Sequence, residues 1–224
     1  MKPSRLLPFA ILAIGVGATA LLRADSSAPA ASSISADESL KRLLEGNGRF
    51  VAGTPSHPHQ SADRRASLAG GQKPFAVILT CADSRVAPEI YFDQGLGDLF
   101  VLRNAGNVLD DHMVGSVEYA VEHLHAKLIV VVGHSQCGAV AATVAGGHAP
   151  GHIHSIVESI EPSLAIARKQ QGDAVDNTVR VHARRVAEIL SQVDPIVGEA
   201  VKAGHVKVAA GRYDLATGRV EILN

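Results

Sequence analysis

The chain has 224 residues, with 21 basic and 22 acidic side chains and a formal net charge of −1. Apolar residues make up 46% and charged residues 19%, which supplies a core and excludes a chain disordered throughout. The balanced charge excludes a broad nucleic-acid surface, the lack of Trp leaves few stacking platforms, and two cysteines exclude a disulfide-rich scaffold.

The N-terminus reads as an export signal. Lys2 and Arg5 precede an apolar run from Leu6 to Leu22, which is shorter than the roughly 20 residues a spanning helix needs. Small-residue cleavage sites follow at Ala18-Thr19-Ala20 and Ala28-Pro29-Ala30, with no twin Arg and no nearby cysteine. Residues 1–30 are therefore expected to be a signal peptide and the start of a linker. The mature chain is expected outside the cytoplasm, in the periplasm, with no stable membrane association after cleavage. Residues 35–224 are expected to form a single domain.

Ser35-x-x-Glu38 has capping-box spacing, and Leu40, Leu43 and Leu44 continue at helical intervals. Gly46 and Gly48 weaken the end of that helix. His57-Pro58-His59 is loop chemistry, and a short polar helix over 62–69 ends at Gly70-Gly71. Three continuous apolar runs follow, Phe75–Thr80, Leu99–Leu102 and Leu128–Val132. Each reads as a strand buried on both faces, as in a parallel sheet. Helical patterns lie over 115–124, 137–145, 153–170 and 178–192. Val206–Arg212 and Arg219–Leu223 read as a closing hairpin. Strand and helix alternate, so the predicted class is α/β, a mostly parallel central sheet flanked by helices, with an N-terminal helical arm.

Sites in such sheets form beyond the carboxyl ends of the strands. Cys81 follows the first buried run and His134 follows the third, with Cys137 three residues on, at a helix start. Two thiolates and one imidazole suit zinc, and three protein ligands leave the open fourth position of a catalytic site. The helix start is expected to favour the Cys137 thiolate. The same two cysteines in an exported chain also read as one disulfide in a non-catalytic binding module. Asp83 and Arg85 follow Cys81 at alternate positions. They read either as an ion pair tying a loop to the sheet or, beside a metal, as a carboxylate held ionised and oriented. Gly95-Leu-Gly97 does not continue as a dinucleotide fingerprint, and no phosphate-binding loop motif is present, which excludes a nucleotide-binding domain.

Cys81-Ala-Asp83-Ser-Arg85, followed by His134-Ser-Gln-Cys137, resembles the β-class carbonic anhydrases. The resemblance extends through Gln72–Phe75, Val101–Gly106 and Glu118–Ala120. It implies a zinc lyase, one Zn2+ per chain, that interconverts carbon dioxide and bicarbonate. Cys81, His134 and Cys137 would hold the metal. Asp83 and Arg85 would form the catalytic dyad that orients zinc-bound hydroxide. The resemblance to the plant-type subgroup with an open site places Gln72, Phe100 and Tyr119 in the substrate pocket. Ala105 stands in the pocket wall where the family often has Val. The resemblance also implies a homodimer or higher homo-oligomer, with residues 36–53 as an arm over a neighbour. Carbonyl sulfide or carbon disulfide would be attacked by the same chemistry and are the alternative substrates. None of the 11 histidines is singled out by spacing as a proton shuttle or second metal site.

Overall fold

The computed structural model describes residues 34–223. The expected signal peptide and most of the linker lie outside the described residues.

The three apolar runs form β1 (Ala76–Cys81), β2 (Leu99–Asn104) and β3 (Leu128–His134). With β4 (Lys207–Tyr213) and β5 (Val220–Leu223) they make one five-stranded sheet in the order β2-β1-β3-β4-β5. The first four strands are parallel and β5 is antiparallel to β4, so the expected hairpin closes one edge. Every residue of β1 and β3 is buried, which is why these central strands read as unbroken apolar runs.

Successive side chains point to opposite faces. Val77, Leu79, Ile129 and Val131 pack on one side with Val117 of α4 (Asp111–Glu122), Ala183, Val186 and Leu190 of α7 (Ala174–Ser191), and Val197 of α8 (Val197–Lys202). Ile78, Val130 and Val132 pack on the other with Leu43 of α1 (Ala36–Val51), Tyr91 of α3 (Pro88–Tyr91), and Phe92. The remaining helices are α2 (Ala62–Ser67), which buries no residue, α5 (Gly138–Ala145) and α6 (Ile153–Ala167), which packs against α5 and α7.

Helix ends follow their caps. Ser35 Oγ accepts the Glu38 amide, as the capping-box spacing predicts. α4 starts four residues before its apolar pattern because Asp110 accepts the Met113 amide. Asp173 likewise accepts the Asp176 amide and starts α7 ahead of its pattern. Gly46 does not end α1. A Cβ there would sit 1.8 Å from the Phe92 carbonyl oxygen, so glycine permits the helix to dock closely. Leu43 is fully buried on the chain's own sheet, and the buried Asn47 amide donates to the carbonyls of Tyr91 and Gly218 while its oxygen accepts the Val220 amide. The expected arm is therefore anchored to its own chain, with Leu44 and Val51 left on its outer side. The short helices α3 and α8 have no counterpart in the sequence patterns, being a single turn and little more.

Candidate metal centre

β1 and β3 are parallel neighbours, paired from Val77 with Ile129 to Thr80 with Val132. Their carboxyl ends thus reach the same edge of the sheet, which places Cys81 beside His134. The chain turns after His134, and Cys137 becomes the residue capping the start of α5. All three side chains are buried, and their donor atoms lie within 4.8 Å of one another. Among the described residues this is the one group of three or more potential metal ligands so placed.

The protonation pattern of the trio suits a cation. His134 Nδ1 lies 3.0 Å from the Ser135 carbonyl, which can only accept, so Nδ1 carries the proton and Nε2 keeps its lone pair. Nε2 is buried and has no hydrogen-bond partner. An orphaned buried acceptor beside two sulfurs is costly unless a metal takes it. Both cysteines are free thiols, not joined to each other. The Cys81 thiol is drawn down by a hydrogen bond from Cys137, helped by the Gly106 amide 3.3 Å from Sγ. The Cys137 thiol is pushed up by the Cys81 sulfur and by burial, against the expectation from its helix start. Two adjacent buried thiolates repel, so without a cation one proton stays. A borderline-soft dication fits this donor set and removes that repulsion.

Asp83 lies just beyond Cys81. Arg85 Nε and Nη2 donate to its two carboxylate oxygens at 2.9 and 2.7 Å, and the Arg85 amide donates to Oδ1 at 2.9 Å. This grip holds the carboxyl well below the usual carboxylate range. Asp83 Oδ2 is 3.9 Å from the free Nε2 of His134. The loop is itself clamped by Arg103, whose Nε and Nη2 donate to the carbonyls of Cys81 and Asp83 at 3.1 and 2.8 Å. Arg103 was part of the motif that carried the family resemblance, but nothing in the sequence assigned it this role.

The four residues expected in a substrate pocket are not gathered by one chain. Ala105 follows β2 directly and adjoins Gly106, which touches Cys81. Phe100 pairs with Val77, four positions before the Cys81–Asn104 pair, which is about 13 Å down the strand. The Tyr119 ring, on α4, lies 6.3 Å from Phe100 at that far end and is half exposed. Gln72 is exposed in the loop before β1.

Residues 76–220 match the family model for carbonic anhydrase. Carbonic anhydrase 2 of Mycobacterium tuberculosis is 48% identical over 183 residues, covering 80% of this chain and 88% of that protein. The carbonic anhydrase of Mycolicibacterium smegmatis is 46% identical over 186 residues, covering 81% and 90%. Among solved structures, a tetrameric β-carbonic anhydrase of Sordaria macrospora superposes with a TM-score of 0.66 at 26% identity, covering 84% of this chain and 98% of its own. The Coccomyxa β-carbonic anhydrase in complex with acetazolamide gives 0.64 at 30% identity, covering 82% and 86%. A matched family model across most of the chain, close relatives along nearly their whole length, and a shared fold agree with the buried Cys-His-Cys group: the chain belongs to the carbonic anhydrase family, in its β class.

Proposed function

We propose that this carbonic anhydrase hydrates carbon dioxide at one zinc ion held by Cys81 Sγ, His134 Nε2 and Cys137 Sγ. The observation that carries the reading is the buried, partnerless Nε2 of His134 beside two free thiols and 3.9 Å from the ionised Asp83. Zinc bound there would supply a Lewis acid and a nucleophile from water at neutral pH. Asp83 Oδ2 would accept a hydrogen bond from the attacking water and so orient its oxygen lone pair towards the substrate carbon. Arg85 keeps Asp83 ionised and in one orientation. With both its oxygens engaged by Arg85, Asp83 is held from taking the fourth metal position, which favours an open site. Nothing in the site singles out carbonyl sulfide or carbon disulfide, and two free thiols give no support to a disulfide-linked binding module.

The working unit is a homodimer or a multiple of it. Among the described residues β2 is an edge strand, paired only with β1, and its Leu99, Phe100, Val101 and Leu102 are half-buried. An apolar open edge invites pairing with another strand. Antiparallel pairing of β2 with its own copy about Leu102 would set Phe100 of one chain beside Asn104 of the other, which is the register partner of Cys81. Phe100 and Tyr119 then complete the pocket of the partner subunit and not their own. The tetrameric Sordaria macrospora relatives are consistent with such assembly. Export to the periplasm rests on Lys2, Arg5 and the apolar run from Leu6 to Leu22. No helix among the described residues is long and apolar enough to cross a membrane.

The test is zinc content per chain together with carbon dioxide hydration on the same purified sample. About one zinc with fast hydration supports the reading. No zinc, with Cys81 and Cys137 oxidised to each other, overturns it.

A further inference from the structure

A buried histidine 45 residues beyond Cys137 reaches the candidate metal centre through one residue, Gly106. His182 lies on the inner face of α7 and is 2% exposed. Its Nε2 is 3.0 Å from the Gly106 carbonyl oxygen, and its Nδ1 is 3.0 Å from Ser163 Oγ on α6. A carbonyl oxygen only accepts, so Nε2 carries the proton. In the neutral ring Nδ1 then accepts from the Ser163 hydroxyl. Burial holds this imidazole neutral, pushing its pKa down to about 4.

Gly106 is the residue that needs holding. It sits at φ +76°, in the left-handed region, within the tight turn Ala105–Asn107 after β2. A Cβ at this position would crowd Ile160 Cδ1 at 2.9 Å and Ala139 Cβ at 3.1 Å, and the positive φ strains any side chain there. Glycine leaves the backbone free to rotate unless something pins it. On one side of Gly106 its amide donates to Cys81 Sγ, and on the other its carbonyl accepts from His182. The two bonds grip the same residue from opposite ends, and each depends on the dihedrals the other fixes.

We propose that His182 is a positioning residue for the metal centre, holding Gly106 so that its amide stays on the Cys81 sulfur. A hydrogen bond to a metal-bound thiolate withdraws charge from the sulfur, which leaves the metal more acidic and the ligand less prone to protonation and release. Two thiolates would otherwise cancel the formal charge of a dication, so one oriented amide matters more here than in a three-histidine site. Ser163 fixes the tautomer, and the three elements α6, α7 and the turn after β2 are thereby tied to one ligand atom.

The inference rests on the zinc-site reading, and the experiment separates the two. Cobalt(II) replaces zinc in wild type and in His182→Leu, His182→Gln and Ser163→Ala. The sulfur-to-cobalt charge-transfer bands and the rate of metal release to a chelator are recorded. Loss of the amide bond in His182→Leu raises the energy of the sulfur lone pairs, so the bands move to longer wavelength and release accelerates about 10–100-fold. His182→Gln keeps an N–H donor and returns both readouts towards wild type, which a purely structural role would not require. Ser163→Ala shifts both in the same direction by less, and it serves if His182→Leu does not fold. Unmoved bands and an unchanged release rate in either variant that loses a bond overturn the inference while leaving the zinc site standing. Absence of sulfur-to-cobalt bands in wild type overturns the zinc-site reading itself.

Discussion

Arg85 grips both carboxylate oxygens of Asp83, and the same Asp83 reaches to 3.9 Å from the free nitrogen of His134. The Asp83 carboxylate is thus turned towards the buried Cys-His-Cys group, as the proposed dyad requires.

Asp83→Asn keeps the shape of the carboxylate but loses its charge and half of its acceptor capacity. Zinc content is expected to match wild type, while turnover falls about 100-fold or more, the scale of general acid–base assistance. Stopped-flow hydration with metal analysis on the same sample reads both. Turnover near wild type would remove Asp83 from the chemistry.

Arg103→Ala removes two donors from the carbonyls that frame Cys81 and Asp83. The side chain is exposed, so the stability cost is small, about 1 kcal/mol. The loop carrying both residues loosens, and metal release to a chelator is expected to speed up about tenfold. A large fall in melting temperature with unchanged metal release would reverse this assignment.

Asn47→Ala strands three buried backbone groups, on Tyr91, Gly218 and Val220. A stability loss of about 3 kcal/mol is expected in denaturant melts, with the metal site intact. A change under 1 kcal/mol, by the same scale, would mean that water or the neighbouring backbone replaces the amide.

His182 also predicts an acid sensitivity. Burial and then the nearby Arg185 charge depress its pKa from 6.5 to about 4, and Glu158 lines the adjoining cavity. The unfolded chain takes up a proton below 6.5 that the folded chain refuses until about 4. Its contribution is therefore fully present above pH 6.5 and is lost as pH falls towards 4, by at most about 3 kcal/mol. Chemical denaturation across that window should show a steeper loss for wild type than for His182→Gln. Parallel slopes would contradict it. The Asp83 carboxylate, held low by Arg85, loses its contribution only below the ordinary carboxylate range, outside this window.

A mixing experiment tests the shared pocket. Asp83→Asn and Tyr119→Ala chains, each of low activity alone, are refolded together. If Tyr119 serves the partner subunit, each mixed dimer contains one centre with both residues intact, and activity returns. If Tyr119 serves its own chain, every centre carries one defect and mixing restores nothing.

The strands and the Cys-His-Cys group were legible because their causes are local. β1 and β3 are buried on both faces, so each is a continuous apolar run. Cys81, His134 and Cys137 stand where those runs end, and parallel pairing brings strand ends to one edge. Helix starts were legible where a cap announced them, as at Ser35. They were displaced at α4 and α7, whose first turns are set by Asp110 and Asp173 ahead of any apolar pattern.

What the sequence determined by itself is the α/β class, the order of the elements around the site, and which strand ends bring Cys81, His134 and Cys137 together, since all three follow from residue type and spacing. The tertiary structure decided what residue type does not encode. It docked α1 on its own chain through Gly46 and Asn47, because that contact depends on the Phe92 carbonyl and the β5 backbone reaching the same place. It put Phe100 about 13 Å down the sheet from Cys81, with the Tyr119 ring beside it, because register and not motif order sets height in a sheet. It brought His182 to Gly106 and so to Cys81, a contact between residues 76 apart. The physical reason is the same in each case: a hydrogen bond or a close approach between distant segments exists only once packing has fixed where their backbones lie.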